Sequence, residues 1–275
     1  MPEEPVSKVS VASLNTQGIP VLASRLAARY EVIGAGFEAG DSDVVCVQEV
    51  LTHWHLRLLA RRMPSFRQVS WRPSLAGPAG GLVTFSRLPV TSTAYRGFGV
   101  PPRVRGIAWP TRLRAGMKGA LVTHLARSQV CVINTHPVAN RDGDWTEAGR
   151  FYRLHLAQLA VLARVVQDAP APVIVCGDFN VDRDSSLFSE FTEDTGLADV
   201  FGGECPATFR PEYLPAGKTP HCIDFILAGE GFRPESASVL FADEQTLPGG
   251  PGYVSDHLGL SARMSLDPRR KSGRA

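Results

Sequence analysis

The sequence predicts an α/β protein in which β-sheets stack and carry helices on their flanks. Three observations predict it. Short β-branched apolar runs recur along the chain, and several end on a polar residue. Segments with apolar residues at helical spacing lie between those runs. A group of short runs between residues 83 and 133 reads as antiparallel strands. With 275 residues, 44% of them hydrophobic, the chain can bury a sizeable core. One domain is expected over residues 1–267, followed by a disordered basic tail over residues 268–275.

In chain order, residues 8–14 form the first apolar run and deliver Asn15. Residues 25–30 and 52–62 read as helices, and between them the run 44–47 leads to Gln48-Glu49. Residues 83–85, 91–95, 120–124 and 130–133 read as strands, the last two joined near Arg127-Ser128. The fourth runs into Asn134-Thr135-His136. Residues 146–166 carry Leu154, Leu159 and Leu162 at helical spacing, with Asp144 or Thr146 as the cap. Residues 172–176 then lead to Gly177-Asp178. Apolar strands that end on a polar residue are how layered α/β enzymes build a site along a sheet edge. His53, His55 and His155 have no partner pattern around them and read as surface or packing residues.

Residues 97–119 stand apart, with Pro101-Pro102, Pro110, glycines, Phe98, Val100, Ile107 and Trp109 interleaved with arginines. A long exposed loop or ribbon is expected. Three roles are open to it: meeting an anionic membrane surface, straddling nucleic-acid phosphates with an aromatic ready to stack, or folding back on the core.

The formal charge of +2 points to no partner, but its distribution is uneven. No Asp or Glu occurs from Val50 to Arg141, where Arg57, Arg61, Arg62, Arg67, Arg72, Arg87, Arg96, Arg103, Arg105, Arg112, Arg114, Lys118, Arg127 and Arg141 all fall. Of the five cysteines, Cys46, Cys131 and Cys176 sit in apolar runs and read as small buried hydrophobes, while Cys205 and Cys222 lack zinc-ligand spacing. The N-terminus has no basic or apolar signal region, and no run approaches the ~20 apolar residues that span a bilayer. These features predict a soluble, monomeric, cytoplasmic protein; a secreted protein written without its leader would read the same way.

Phosphodiester hydrolysis needs a hard cation, an activated water and help for the leaving group. Glu49, Asp178, Asp224 and Asp256, the amides of Asn15 and Asn180, and the imidazoles of His136 and His257 supply suitable groups and suit Mg²⁺ or Mn²⁺. Five local patterns occur in order along most of the chain: residues 14–18 around Asn15, Gln48-Glu49, Gly177-Asp178-Phe179-Asn180, Ile223-Asp224-Phe225 and Ser255-Asp256-His257. In order and wording they resemble the endonuclease/exonuclease/phosphatase superfamily. The resemblance implies a four-layer α/β sandwich of the deoxyribonuclease-I-like type, with two stacked mixed sheets flanked by helices.

The same resemblance implies roles. Asn15, Glu49 and Asp256 would bind metal, and His257, oriented by Asp224, would be the general base. Asp178 would position water or metal, Asn180 would hydrogen-bond the phosphate, and His136 would stabilise the transition state or protonate the leaving oxygen. His136 stands where apurinic-site endonucleases have tyrosine, which resembles the deoxyribonuclease I and neutral sphingomyelinase branches. Residues 80–90 and 117–121 are most similar to the latter, with Lys118 expected to bind substrate. A phospholipid head-group diester is therefore the first expected substrate and nucleic acid the alternative. A catalytically silent binding module is a third reading. Inositol-polyphosphate phosphatases are disfavoured because their Asp-Arg pairing after a Trp is not found around Asp224.

Overall fold

The structure is a computed structural model describing residues 8–19, 25–100, 106–126, 130–170 and 172–266. The Arg127-Ser128 turn, Arg103, Arg105, the Pro101-Pro102 pair, the N-terminal residues 1–7 and the expected tail 268–275 lie outside the described residues. Fourteen strands are described: β1 (Lys8–Asn15), β2 (Val44–Gln48), β3 (Gln68–Ser70), β4 (Val83–Ser86), β5 (Val90–Gly97), β6 (Gly119–Leu125), β7 (Cys131–His136), β8 (Val173–Asp178), β9 (Ala198–Asp199), β10 (Asp224–Ala228), β11 (Phe232–Leu240), β12 (Gln245–Leu247), β13 (Gly250–Gly252) and β14 (Gly259–Leu266). Five α-helices are described: α1 (Leu26–Ala39), α2 (His53–Arg62), α3 (Trp109–Met117), α4 (Tyr152–Asp168) and α5 (Ser186–Thr195).

One sheet has the order β11-β14-β1-β2-β4-β3 and the other β5-β6-β7-β8-β10-β9. Each contains one parallel pair, β1 with β2 and β7 with β8, and its other neighbours are antiparallel. A parallel pair needs a crossover, which α1 provides in the first sheet and α4 in the second. Strand alternation then sorts the side chains. Val9, Val11, Val44 and Cys46 face the second sheet, while Ala12, Leu14, Val45 and Val47 face α1 and α2. The outer side of the second sheet packs on α4 and α5, giving the four layers.

The parallel pairs sit opposite each other, β1 against β8 and β2 against β7, so their C-terminal ends share one edge of the sandwich. A buried amide bridge ties the sheets beneath that edge. Gln48 Nε2 donates to Asn134 Oδ1 at 2.8 Å, and Asn134 Nδ2 donates to the carbonyls of Val47 and Val83.

Several expectations are corrected. The helix expected at 146–166 begins at Tyr152, because Asp144 Oδ1 accepts from Thr146 N and Oγ1 in a local turn that precedes it and caps nothing. Residues 97–119 are not one exposed ribbon. Phe98 and Ile107 are buried, and α3 starts at Trp109 with Pro110 in its first turn, where proline is tolerated. The helix expected at 25–30 extends to Ala39, whereas that at 52–62 stands, capped by Thr52 Oγ1 accepting from His55 N. All five cysteines are buried, with Cys46, Cys131 and Cys176 on β2, β7 and β8.

Candidate active site

Asn15 ends β1, His136 ends β7 and Asp178 ends β8, and Glu49 follows β2 in a left-handed conformation with φ of 62°. Asp224 reaches the same edge differently: it begins β10 and pairs in register with Asp178 on antiparallel β8. Residues 255–257 complete the edge just before β14. Every site position expected from the sequence is thus brought to one edge, including Asn180 two residues beyond β8 and Lys118 between α3 and β6.

Asp178 is the hub and is buried. Its Oδ2 accepts from Asn15 Nδ2 at 2.8 Å and lies 3.3 Å from His136 Nε2 and 3.8 Å from His257 Nε2. Its Oδ1 accepts from the Asn180 backbone N–H at 2.9 Å. Burial alone would raise this carboxyl's pKa, but His257, His136 and Asn15 together hold it below the usual carboxylate range.

His257 Nδ1 lies 2.8 Å from Asp224 Oδ2. A carboxylate only accepts, so Nδ1 carries the proton and Nε2 is left facing Asp178 and, at 3.9 Å, Asp256 Oδ1. Burial opposes charge on this ring, yet Asp224 and Asp178 outweigh it and raise the imidazole well above its ordinary range. The Phe209 ring meets the imidazole edge-on at 5.0 Å and fixes its plane. Thr208 Oγ1 accepts from the backbone of Ile223 and Asp224, anchoring the start of β10.

On the other side Lys118 Nζ lies 2.9 Å from His136 Nδ1 and 3.1 Å from Nε2. Since His136 Nε2 faces a carboxylate, it donates there and Nδ1 accepts from the ammonium, giving a chain from Lys118 through His136 to Asp178. Burial lowers the Lys118 pKa, against the pull of Glu49 and Asp178.

The sequence did not assign roles to several residues that shape this edge. Ser255 Oγ donates to the Asn15 carbonyl at 2.6 Å and accepts from His257 N at 3.1 Å, so the residue before Asp256 joins β1 to the imidazole. Buried Arg29 donates to the carbonyls of Thr16, Gln17 and Val254. Its neighbour Tyr30 shares a hydrogen bond with Thr16 Oγ1 and donates to the Glu49 carbonyl at 3.3 Å. Arg210 holds Ser255 O through Nε and Asp256 O through its backbone N–H. A signal for Arg29 existed, because it shares a helical face with Leu26, Tyr30, Ile33 and Phe37, all buried.

Gly18 shows how closely these turns approach. A Cβ there would lie 1.8 Å from the Glu49 carbonyl oxygen and 2.7 Å from the Tyr30 hydroxyl. Gly18→Ala is expected to cost about 1–3 kcal/mol, as overpacking does, and to displace Glu49. Urea denaturation and Mn²⁺ titration of the variant check both effects.

Among the described residues, Asp178, Asp224 and His257 offer metal-ligating atoms within 4.8 Å of one another, a different set from the Asn15, Glu49 and Asp256 that the resemblance implied. Asp224 already spends Oδ2 on His257. Asp256 is crowded by other carboxylates: burial raises its pKa, and the charges of Glu49 and Asp178 push the same way against His257, a crowding that a bound cation would relieve. Crowded carboxylates with an amide oxygen nearby are the donor chemistry of a hard divalent ion, so the residues fit Mg²⁺ or Mn²⁺.

The Endonuclease/Exonuclease/phosphatase family profile matches residues 12–257. Among curated relatives, Nocturnin of Xenopus laevis is 30% identical over 159 residues, covering 52% of this chain and 39% of its own. Nocturnin of Mus musculus is 25% identical over 252 residues, covering 83% of this chain and 56% of its own. The chain therefore spans about half or less of the length of the curated relatives it matches. Among solved structures, D. rerio TDP2 complexed with a single-strand DNA product superposes with a TM-score of 0.70 at 18% identity, covering 94% of this chain and 100% of that one. Sphingomyelinase C from Streptomyces griseocarneus gives a TM-score of 0.65 at 18% identity, covering 93% and 99%.

Proposed function

Because the chain belongs to the endonuclease/exonuclease/phosphatase family, we propose that it is a divalent-metal-dependent phosphoric diester hydrolase acting on the head-group diester of a phospholipid. The observation that carries the hydrolase reading is the Asp224–His257 pair at 2.8 Å, with the free imidazole nitrogen opening onto Asp178 and Asp256.

In this reading His257 Nε2 takes the proton of the attacking water, and Asp224 holds Nδ1–H so that the ring keeps one orientation. Asn15, Glu49 and Asp256, with Asp178 beside them, would hold Mg²⁺ or Mn²⁺, which when bound neutralises phosphate charge and polarises the phosphoryl oxygen. Asn180 has one amide N–H committed to the Pro137 carbonyl, and its remaining N–H serves the phosphate. The Trp145 indole N–H bonds the Asn180 carbonyl at 2.9 Å and keeps that turn in place. His136, backed by Lys118, sits across Asp178 from His257, the position from which it stabilises charge on the phosphate, or passes its Nε2 proton to the leaving oxygen while Nδ1 takes one from the Lys118 ammonium.

A nuclease is the second reading, favoured by the fold shared with a protein solved with a single-strand DNA product. A silent binding module is disfavoured because all nine expected positions keep their functional side chains. Hydrolysis of bis-p-nitrophenyl phosphate with Mg²⁺ or Mn²⁺, abolished by EDTA, is expected. A panel of sphingomyelin, phosphatidylcholine, plasmid DNA and RNA then identifies the substrate. Preference for DNA or RNA overturns the lipid assignment, and no EDTA-sensitive turnover of any of them overturns the hydrolase.

A further inference from the structure

The acid-free stretch from Val50 to Arg141 supplies two of the connections at the site edge. Val83 of β4 pairs with Val47 near the end of β2, so the connection 71–82 emerges beside Glu49. Gly97 of β5 pairs with Gly119, which pairs with His136, so residues 98–100 and α3 with Lys118 start and end beside His136. Tyr95 of β5 bridges the two connections. Arg72 lies over the Tyr95 ring at 6.0 Å, a Cβ on Gly80 would lie 2.7 Å from the Tyr95 hydroxyl, and that hydroxyl donates to Met117 O at 2.9 Å.

This joint surface is apolar where it meets solvent. On α3, Trp109, Leu113 and Met117 fall at i, i+4 and i+8 and are 59%, 45% and 58% exposed, while Ala115 on the opposite side is buried. Val100, which packs against Gly116 of α3, is exposed as well, and Leu75 on the 71–82 connection is fully exposed. A nine-residue helix that turns its three largest apolar side chains outward along one stripe has its apolar face unpartnered among the described residues. The arginines are placed around it: Arg112 stacks over Trp109, and Arg114 and Arg96 are exposed nearby. The acids of this edge lie elsewhere: Glu49, Asp178, Asp224 and Asp256 belong to the site itself, and of Asp142 and Asp144 on the connection after β7, Asp142 is already paired with Arg150.

We propose that this face, formed by α3 and the 71–82 connection, docks on an anionic lipid bilayer and so presents the catalytic edge to a head group. The proposal rests on the lipid reading above for its substrate, but docking itself needs neither metal nor turnover. Apolar side chains on one stripe with arginines at its border suit the acyl boundary and the head-group charge together. The expected 97–119 ribbon is thereby revised: Phe98 and Ile107 belong to the core, and the outward residues are helical.

The test is co-sedimentation of the full chain in EDTA with vesicles of phosphatidylcholine alone or mixed with phosphatidylglycerol. Binding to the anionic vesicles only, weakened by salt, and reduced about tenfold in a Trp109→Ser/Leu113→Ser variant, is expected. That variant should hydrolyse bis-p-nitrophenyl phosphate at the unaltered rate, which also shows that it folds. Absence of binding to anionic vesicles, binding that the double variant does not weaken, or displacement of the vesicles by oligonucleotide through the same residues overturns the proposal, the last in favour of a nucleic-acid surface. Vesicle binding without diester hydrolysis leaves docking standing and removes the catalytic reading, and the reverse result does the opposite.

Discussion

His257→Ala is expected to lower kcat on a small phosphodiester by about 10³-fold, the usual range for loss of a positioned general base, with a smaller change in KM. The imidazole is buried, held by Asp224 and aimed at the centre of the edge, so no neighbouring group takes its place. Turnover at the wild-type rate refutes the assignment. The pH profile adds a sign. The base works only when neutral, and its carboxylate neighbours raise its pKa, so activity climbs on the alkaline side of its ordinary value of 6.5. Asp224→Asn removes the nearest of those charges: kcat falls and the acid limb moves to lower pH. A limb moving upward contradicts the pair. The same shift is linked to stability. With the folded-state pKa raised, the His257 contribution is fully present below the unfolded value and is lost as pH rises through the folded one. In the metal-free protein, urea midpoints that lose this dependence in His257→Ala check the sign.

Arg29→Met is expected to cost about 3 kcal/mol or more, on the order of 1–3 kcal/mol for each buried carbonyl it leaves unpaired, and to lower Tm by on the order of 10 °C. The guanidinium binds three carbonyls from two segments, Thr16 and Gln17 after β1 and Val254 before residues 255–257. Its loss leaves those carbonyls buried and unpaired. Because the same segments carry Asn15 and Asp256, Mn²⁺ affinity should fall with stability. Arg29→Lys, which keeps the charge without the planar fork, is expected to recover part of the stability and less of the metal affinity. Thermal melts with and without Mn²⁺ separate the two losses, and unchanged Mn²⁺ affinity in a folded variant counts against the positioning role.

The residues at the ends of β1, β2, β7 and β8 were legible because an apolar run followed by a polar residue marks a buried strand meeting an edge. Asp224 had no such mark. It starts an antiparallel strand, and only the pairing of β10 with β8 brings it opposite Asp178. β11 escaped notice for a different reason: the polar, largely exposed sequence of Phe232–Leu240 has no apolar alternation to read, whereas β14 alternates Leu260, Ala262, Met264 and Leu266 and was readable as a strand. Helix α3 was hidden by the surrounding glycines and prolines, although Pro110 in its first turn is itself a helix-start signal. Arg29 was half legible: its place on the apolar face of α1 marks it as buried, but only tertiary contacts show which carbonyls it holds.

The hydrogen bond from Ser255 to the Asn15 carbonyl joins residues 240 positions apart, and β14 is the neighbour of β1 in the first sheet. During synthesis the chain therefore emerges with almost the whole sandwich before its first strand acquires its second partner. The sheet-to-sheet bonds of Gln48 with Asn134 and of Asn15 with Asp178 need only residues before 180, but the bond that ties residues 255–257 to β1 must wait. Contacts of such long range close slowly, so the placing of His257 beside Asp178 is expected to be among the last steps by which a newly made molecule matures.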